Sequence, residues 1–229
     1  MKNLSRILQS FQNDFHEVVS FDPKKDKLLH FDFTAANNEL SDAEIADTNS
    51  FSLYVNKKLK EAGAKFGIGG YNEERVLYRR SKLFDGDHPR TIHLGTDIWG
   101  DAGTKVYVPI GGRVHSFAFN NEFGDYGATI ILQHQLDSFN FFTLYGHLSK
   151  QDLAPLRENK YLHRGEVIGH FGESNENGNW PPHLHFQVIE DMRVSWGNYP
   201  GVVAKAEKEK YLSNCPDPDV LLQMMQYCK

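Results

Sequence analysis

From about residue 75 onward the chain is a succession of short runs with strand character: RVLYRR (75–80), KVYVPI (105–110), GRVHSFAF (112–119), ATIILQH (128–134), FNFFTLY (139–145), EVIGHFG (166–172) and HLHFQVI (183–189). Most are bounded by turn residues, among them Gly111-Gly112, Asn120-Asn121, Gly124-Asp125 and Gly172. Several short strands at such spacing predict an all-β sandwich or barrel-like core. The polar stretch 150–163 reads as a loop.

The flanks have a different grammar. Leu4, Ile7, Leu8, Phe11, Phe15 and Val18 recur at helical spacing, predicting an amphipathic helix over 3–19. Ser41 to Glu44 has the form of a capping box, and Phe51, Tyr54, Val55 and Leu59 continue a helical face until Gly63. LLHFDFT (28–34) reads as a strand or an extended connection. Residues 202–212 and 218–228 read as short helices, the second with Asp217 as cap and Pro218 in its first turn. The expected organisation is a mainly helical N-terminal appendage (1–74), a β domain (75–200) and a helical C-terminal tail (201–229). The fold class is therefore mainly β with a helical N-terminal appendage.

At 229 residues the chain can bury a core without staples, so neither metal nor disulfide is needed merely to hold it folded. Its net charge of −5, with no dense Lys/Arg block, argues against nucleic acid or an anionic membrane surface as partner. Cys215 and Cys228 read as free thiols. MKNLSRILQSFQNDF has no uninterrupted apolar segment or small-residue cleavage site, and no apolar run approaches 18 residues, which predicts a cytoplasmic location if Met1 is the native start. A homodimer is compatible with the sequence and not required by it.

Among the 11 histidines, four stand in spaced company: His93 with Asp97 in HLGTD, His147 in LYGH, and His183 with His185 in PPHLHFQV. Two imidazoles and a carboxylate satisfy a catalytic zinc, which keeps its fourth position for water. Residues i and i+2 of a strand share a face about 6.6–7 Å apart, so His183 and His185 suit one ligand and one neighbour of the catalytic water better than a chelating pair. Pro181-Pro182 restricts the approach to that strand. His16, His30, His88, His115, His134, His163 and His170 have no such partners and read as structural or exposed. FGIGGYNEER (66–75) is not a phosphate loop, because Asn72 stands where the last glycine is needed. A further expectation is that this segment folds over the groove, with Asn72 capping the metal in a latent state.

HLGTDIWGDAGTKVYVPIGGRVHS, DYGATIILQH, FFTLYGHLS, HRGEVIGHFG and PPHLHFQV, in this order over about residues 90–189, resemble the lysostaphin/LytM-type zinc metallopeptidases. The resemblance implies that Zn2+ is held by His93, Asp97 and His185, while His147 and His183 flank the catalytic water. It also implies a two-sheet antiparallel β core (the duplicated hybrid motif) with the site in a groove between loops, and an amide-bond hydrolase acting on peptidoglycan stem peptides or cross-bridges. The chain departs from the family in its FGESNENGNWPPHLH approach. Its RTIHLGTD and WPPHLHFQ flanks and SNCPDPD segment look more like a version found in cytoplasmic multidomain proteins beside kinase-like and aminotransferase-like domains.

No H-E-x-x-H helix supplies a glutamate base, so His147 or His183 must take the proton, stabilise the oxyanion, or divide those tasks. Tyr145 shares the face of His147 by spacing, with core packing as its default role. Three functions follow: a zinc metallopeptidase on peptidoglycan-type peptides, a cytoplasmic zinc amidohydrolase on soluble muropeptides or another small amide, and a catalytically silent binding or regulatory module.

Overall fold

The computed structural model describes residues 4–228. Its strands are β1 (Leu28–Phe31), β2 (Phe66–Gly69), β3 (Arg90–His93), β4 (Thr96–Trp99), β5 (Lys105–Tyr107), β6 (Gly112–Asn120), β7 (Gly127–Leu136), β8 (Phe139–Leu148), β9 (Tyr161–Leu162), β10 (Val167–His170), β11 (His183–Ile189) and β12 (Val202–Ala204). Helices α1 (Leu4–Ser10), α2 (Asp42–Ala46), α3 (Thr48–Ala62), α4 (Lys208–Leu212) and α5 (Asp219–Leu222) flank them.

The mainly β class holds, with a different layering from the two antiparallel sheets expected. Eight strands form one sheet in the order β1-β2-β4-β11-β8-β7-β6-β9, and β5–β10 and β3–β12 form separate two-stranded ribbons. The sheet is mixed, because β1 and β2 run parallel. A parallel pair needs a long crossover. The residues between β1 and β2 supply it, with α2 and α3 inside it. The N-terminal segment thus contributes two strands to the sheet, and β2 pairs Gly69 with Asp97 of β4.

Local chemistry explains the helices. Ser41 and Glu44 form the reciprocal capping box, Asp47 accepts the Ser50 N–H at the start of α3, and Gly63 ends α3 with φ 58°. The Phe51, Val55 and Leu59 face is buried in an aromatic cluster with Phe31, Phe33, Trp99 and Trp180. A second cluster fills the sheet with residues such as Ile98, Ile130, Tyr145 and Phe186.

Several segments differ from expectation. Leu77–Arg80 is a 3-10 turn rather than part of a strand, closed by the Arg79 N–H on the Val76 carbonyl and the Ser81 N–H on the Tyr78 carbonyl. Val202–Ala204 is a strand against β3, its three small or β-branched residues all buried; a 3-10 turn at Lys205–Glu207 follows, and α4 begins at Lys208. The first helix stops at Ser10, whose Oγ donates to the Ile7 carbonyl, and a 3-10 turn at Gln12–Asp14 follows; residue 3 of that prediction lies outside the described residues. The 150–163 loop contains a 3-10 turn and β9. Among the described residues no helix is long and apolar enough to cross a membrane.

Candidate metal centre and active site

Sheet order assembles the site. β4 lies between β2 and β11, and β8 lies on the far side of β11, so Asp97, His185 and the end of β8 are neighbours in register: His185 faces Asp97 on one side and Gly146 on the other. The β3–β4 bend returns His93 to the same point. Gly95 sits in that bend because a Cβ there would lie 2.5 Å from His185 Cε1.

His93, Asp97 and His185 are buried, and their ligating atoms lie within 4.8 Å of one another. His93 Nε2 is 3.0 Å from His185 Nδ1 and 3.3 Å from Asp97 Oδ1, and His185 Nδ1 is 3.0 Å from Asp97 Oδ1. The protons of these rings are assigned by their other partners. His93 Nδ1 lies 2.9 Å from the Gly70 carbonyl, an acceptor only, so it carries the hydrogen and Nε2 is bare. His185 Nε2 lies 3.0 Å from Gln187 Oε1, and Gln187 donates its amide to Pro200 O and Cys215 Sγ, so Nε2 carries the hydrogen and Nδ1 is bare. Three lone pairs therefore converge with no proton among them, an arrangement that a cation relieves. Donors about 2.0–2.2 Å from a tetrahedral zinc would be separated by roughly 3.3 Å. The donor set fits a metal.

Arg75 stands behind the carboxylate. Its side chain is fully buried; it donates to Asp97 Oδ2 at 2.5 Å, to Glu73 at 2.6 Å and to the Gly70 carbonyl at 3.3 Å. Burial opposes its charge, but Tyr78, Asp97 and Glu73 hold it protonated. Burial likewise opposes the Asp97 carboxylate, and His93 and Arg75 hold its pKa well below the usual range. Burial, with Arg75 adding to it, lowers His93 to about 4. Gly69 leaves room for this guanidinium, since a Cβ there would lie 2.6 Å from it.

His147 and His183 form a second pair with ring centroids 4.1 Å apart, and His147 is 6.3 Å from His185. His147 occupies a left-handed conformation, φ 63°, held by its N–H on Tyr126 O and its carbonyl under Gly172 N–H. Its Nδ1 donates to Asn177 O, and His183 Nδ1 donates to Pro181 O. Both present a bare Nε2. Burial brings His183 down to about 4 and puts His147 well below its ordinary value, with repulsion from His183 adding to the latter, so both are neutral at pH 7. Trp99 stacks on His183 at 3.9 Å.

All five side chains singled out in the sequence come together. Tyr145 packs in the core and bonds Thr143. His134 is buried against Gly111 O and Thr143, away from this cluster. Asn72 is exposed in a turn, its backbone N–H on His93 O, and it does not line the cavity; that segment contributes the Gly70 carbonyl and Arg75 instead. The sequence reading did not reach Arg75, Asn177 or Gln187. Only Gln187 carries a local signal, two residues after His185 on the same strand face.

A cavity of about 230 Å³ opens beside the histidines, with Tyr78, Phe84, Trp180 and Tyr199 among its walls. Peptidase family M23 is the family whose model matches the chain, over residues 91–195. No curated protein matches it. A zinc-containing peptidase from Vibrio cholerae is 26% identical over 46% of this chain and 31% of its own, with a TM-score of 0.35. This chain thus spans about a third of that peptidase. The catalytic domain of the antimicrobial peptidase lysostaphin from Staphylococcus simulans is 20% identical over 69% of this chain and 97% of its own (TM-score 0.42), and the longer lysostaphin structure is 24% identical over 60% and 46% (TM-score 0.38). Residues 91–195, which contain all five converging side chains, are similar to Peptidase family M23.

Proposed function

We propose that this protein is a zinc-dependent metallopeptidase that hydrolyses amide bonds in peptidoglycan-type peptides. The observation that supports it most is the convergence of three bare donor atoms, from His93, Asp97 and His185, beside two neutral histidines whose Nε2 atoms are free. Zinc held by this set would polarise the scissile carbonyl and lower the pKa of water toward about 7.

The rest is the work of the chain. His147 and His183 take up and return a proton through Nε2 and donate to the oxyanion; their Nδ1–carbonyl bonds lock the tautomer that allows it. Hydrolysis forms a C–O bond, breaks the C–N bond and returns a proton to the leaving amine. Gln187 keeps His185 turned toward the metal position, and Arg75 leaves Asp97 a single free oxygen there. Trp99 and Trp180 shield the histidine pair from solvent.

The bounded cavity, walled by Leu77 to Arg90, favours a second reading in which the peptide is a soluble fragment or small amide. Product analysis by mass spectrometry, after incubating zinc-loaded protein with intact peptidoglycan and with soluble muropeptides, separates the two. Cleavage of intact wall that vanishes in His147→Ala is the expected result for the first reading. Cleavage of fragments alone supports the second, and zinc binding without cleavage of either refutes both in favour of a binding role.

A further inference from the structure

Two segments that supply none of the hydrolytic residues also line the cavity: Leu83, Phe84 and Arg90 from one, and Gly124, Asp125 and Tyr126 from the other, Tyr126 lying against the His147 and His185 rings. The two segments touch: a Cβ on Gly124 would lie 2.6 Å from Ser81 Cβ and 3.3 Å from Phe84 Cε2.

Four charged side chains line the cavity, and two of them, Arg75 and Asp97, bond to each other. Arg90 and Asp125 remain. Arg90 lies over the Phe84 ring at 5.1 Å and donates one N–H to the Leu83 carbonyl, and no described carboxylate makes an ion pair with it. Asp125 accepts the Tyr126 N–H at Oδ1 (2.8 Å), and among the described residues no hydrogen bond is made to its other oxygen. Burial raises the Asp125 pKa, against the Tyr126 N–H and the charge of Arg90, which acts on the carboxylate from beyond ion-pair distance. The fork of Arg90 keeps donors to spare.

A cation and an anion on one rim, not paired with each other, complement a group that carries an acceptor and a donor close together. The C-terminal residue of a peptide is such a group: its α-carboxylate accepts from a guanidinium, and its own N–H, on the same carbon, donates to a carboxylate. We propose that Arg90 and Asp125 form a subsite for the C-terminal residue of the substrate, so that the enzyme trims short pieces from free carboxyl ends. β3 carries Arg90 at one end and His93 at the other, so the subsite and the metal position are built on one element. This inference rests on the peptidase reading, and the test separates the two.

A muropeptide stem peptide with a free C-terminal carboxylate is compared with its C-terminal carboxamide, using zinc-loaded wild type, Arg90→Gln, Arg90→Lys and Asp125→Asn. A charge-assisted bond of this kind is worth about 10- to 100-fold. The free acid should have a KM at least about tenfold below that of the amide in wild type. Arg90→Gln should erase the difference with little change in kcat, Arg90→Lys should restore part of it, and Asp125→Asn should raise KM for both peptides. Equal KM values for acid and amide in wild type overturn the subsite. If neither peptide is cleaved, calorimetric binding decides: tighter binding of the acid that Arg90→Gln abolishes upholds the subsite while the peptidase reading falls, and equal or absent binding overturns the subsite as well.

Discussion

Arg75 illustrates how one side chain can govern several others. It bonds Asp97, and it also bonds the Gly70 carbonyl that fixes the tautomer of His93, so two of the three converging donors depend on it. Its charge opposes a bound cation, whereas its geometry favours one. Loss of a partner that orients a metal ligand typically costs 10- to 100-fold in affinity. Orientation should win here because two ligands are released at once. Arg75→Met should therefore weaken zinc binding by at least about tenfold in a chelator competition, and lower the stability of the metal-free protein by about 3 kcal/mol because Glu73 and Asp97 lose their buried partner. Tighter zinc binding in the variant would show that repulsion dominates.

At the level of elements, the site depends on two strands approaching without side chains in the way. The bend between β3 and β4 crosses the His185 ring at Gly95, and a Cβ there would also lie 2.8 Å from the Phe186 carbonyl, which belongs to β11 and cannot move freely. Gly95→Ala should push His185 off its position, reduce zinc affinity more than it reduces the melting temperature, and cost about 1–3 kcal/mol in fold stability. Unchanged zinc affinity in a folded Gly95→Ala protein would mean that the bend is more pliant than its contacts indicate. β2 makes the same point from the other side of β4: Gly69 admits the Arg75 guanidinium next to Asp97.

For the whole molecule, metal and pH act on the same groups. His93, His134 and His183 are buried neutral, each with a pKa lowered from 6.5 to about 4, chiefly by burial. The unfolded chain therefore takes up protons first as pH falls. Stability should be fully present above about 6.5 and should decline down to about 4, by up to roughly 1.4 kcal/mol per pH unit for each such histidine. Thermal melts of chelator-treated protein across this range check it, and a flat profile between pH 7 and 4.5 would contradict it. Zinc at a thousandfold excess over its Kd should add about 4 kcal/mol near neutral pH. That increment should shrink in acid as His93 becomes protonated.

Much of this was legible in the chain itself, for identifiable reasons. Short runs of strand-forming residues bounded by turn residues marked β6, β7, β8 and β11, because both signals are local in the chain. The helical face of Phe51, Val55 and Leu59, and its stop at Gly63, were equally local. So was the spacing of His93, Asp97, His147, His183 and His185, which brought these five residues forward as a group. Tertiary structure decided what no local pattern encodes. RVLYRR (75–80) looked like a strand, but the Arg79 and Ser81 N–H groups bond back to the Val76 and Tyr78 carbonyls and make Leu77–Arg80 a 3-10 turn. β1 and β2 entered the main sheet through pairing across a long crossover. Arg75, Asn177 and Gln187 matter because of the atoms they meet, Asp97, the loop beneath His147, and the outer nitrogen of His185. Residue type and spacing single out the five candidate residues, and the family resemblance divides them into expected ligands and neighbours of the water, whereas the tautomer and aim of each side chain follow from partners distant in sequence, which only folding brings within hydrogen-bond reach.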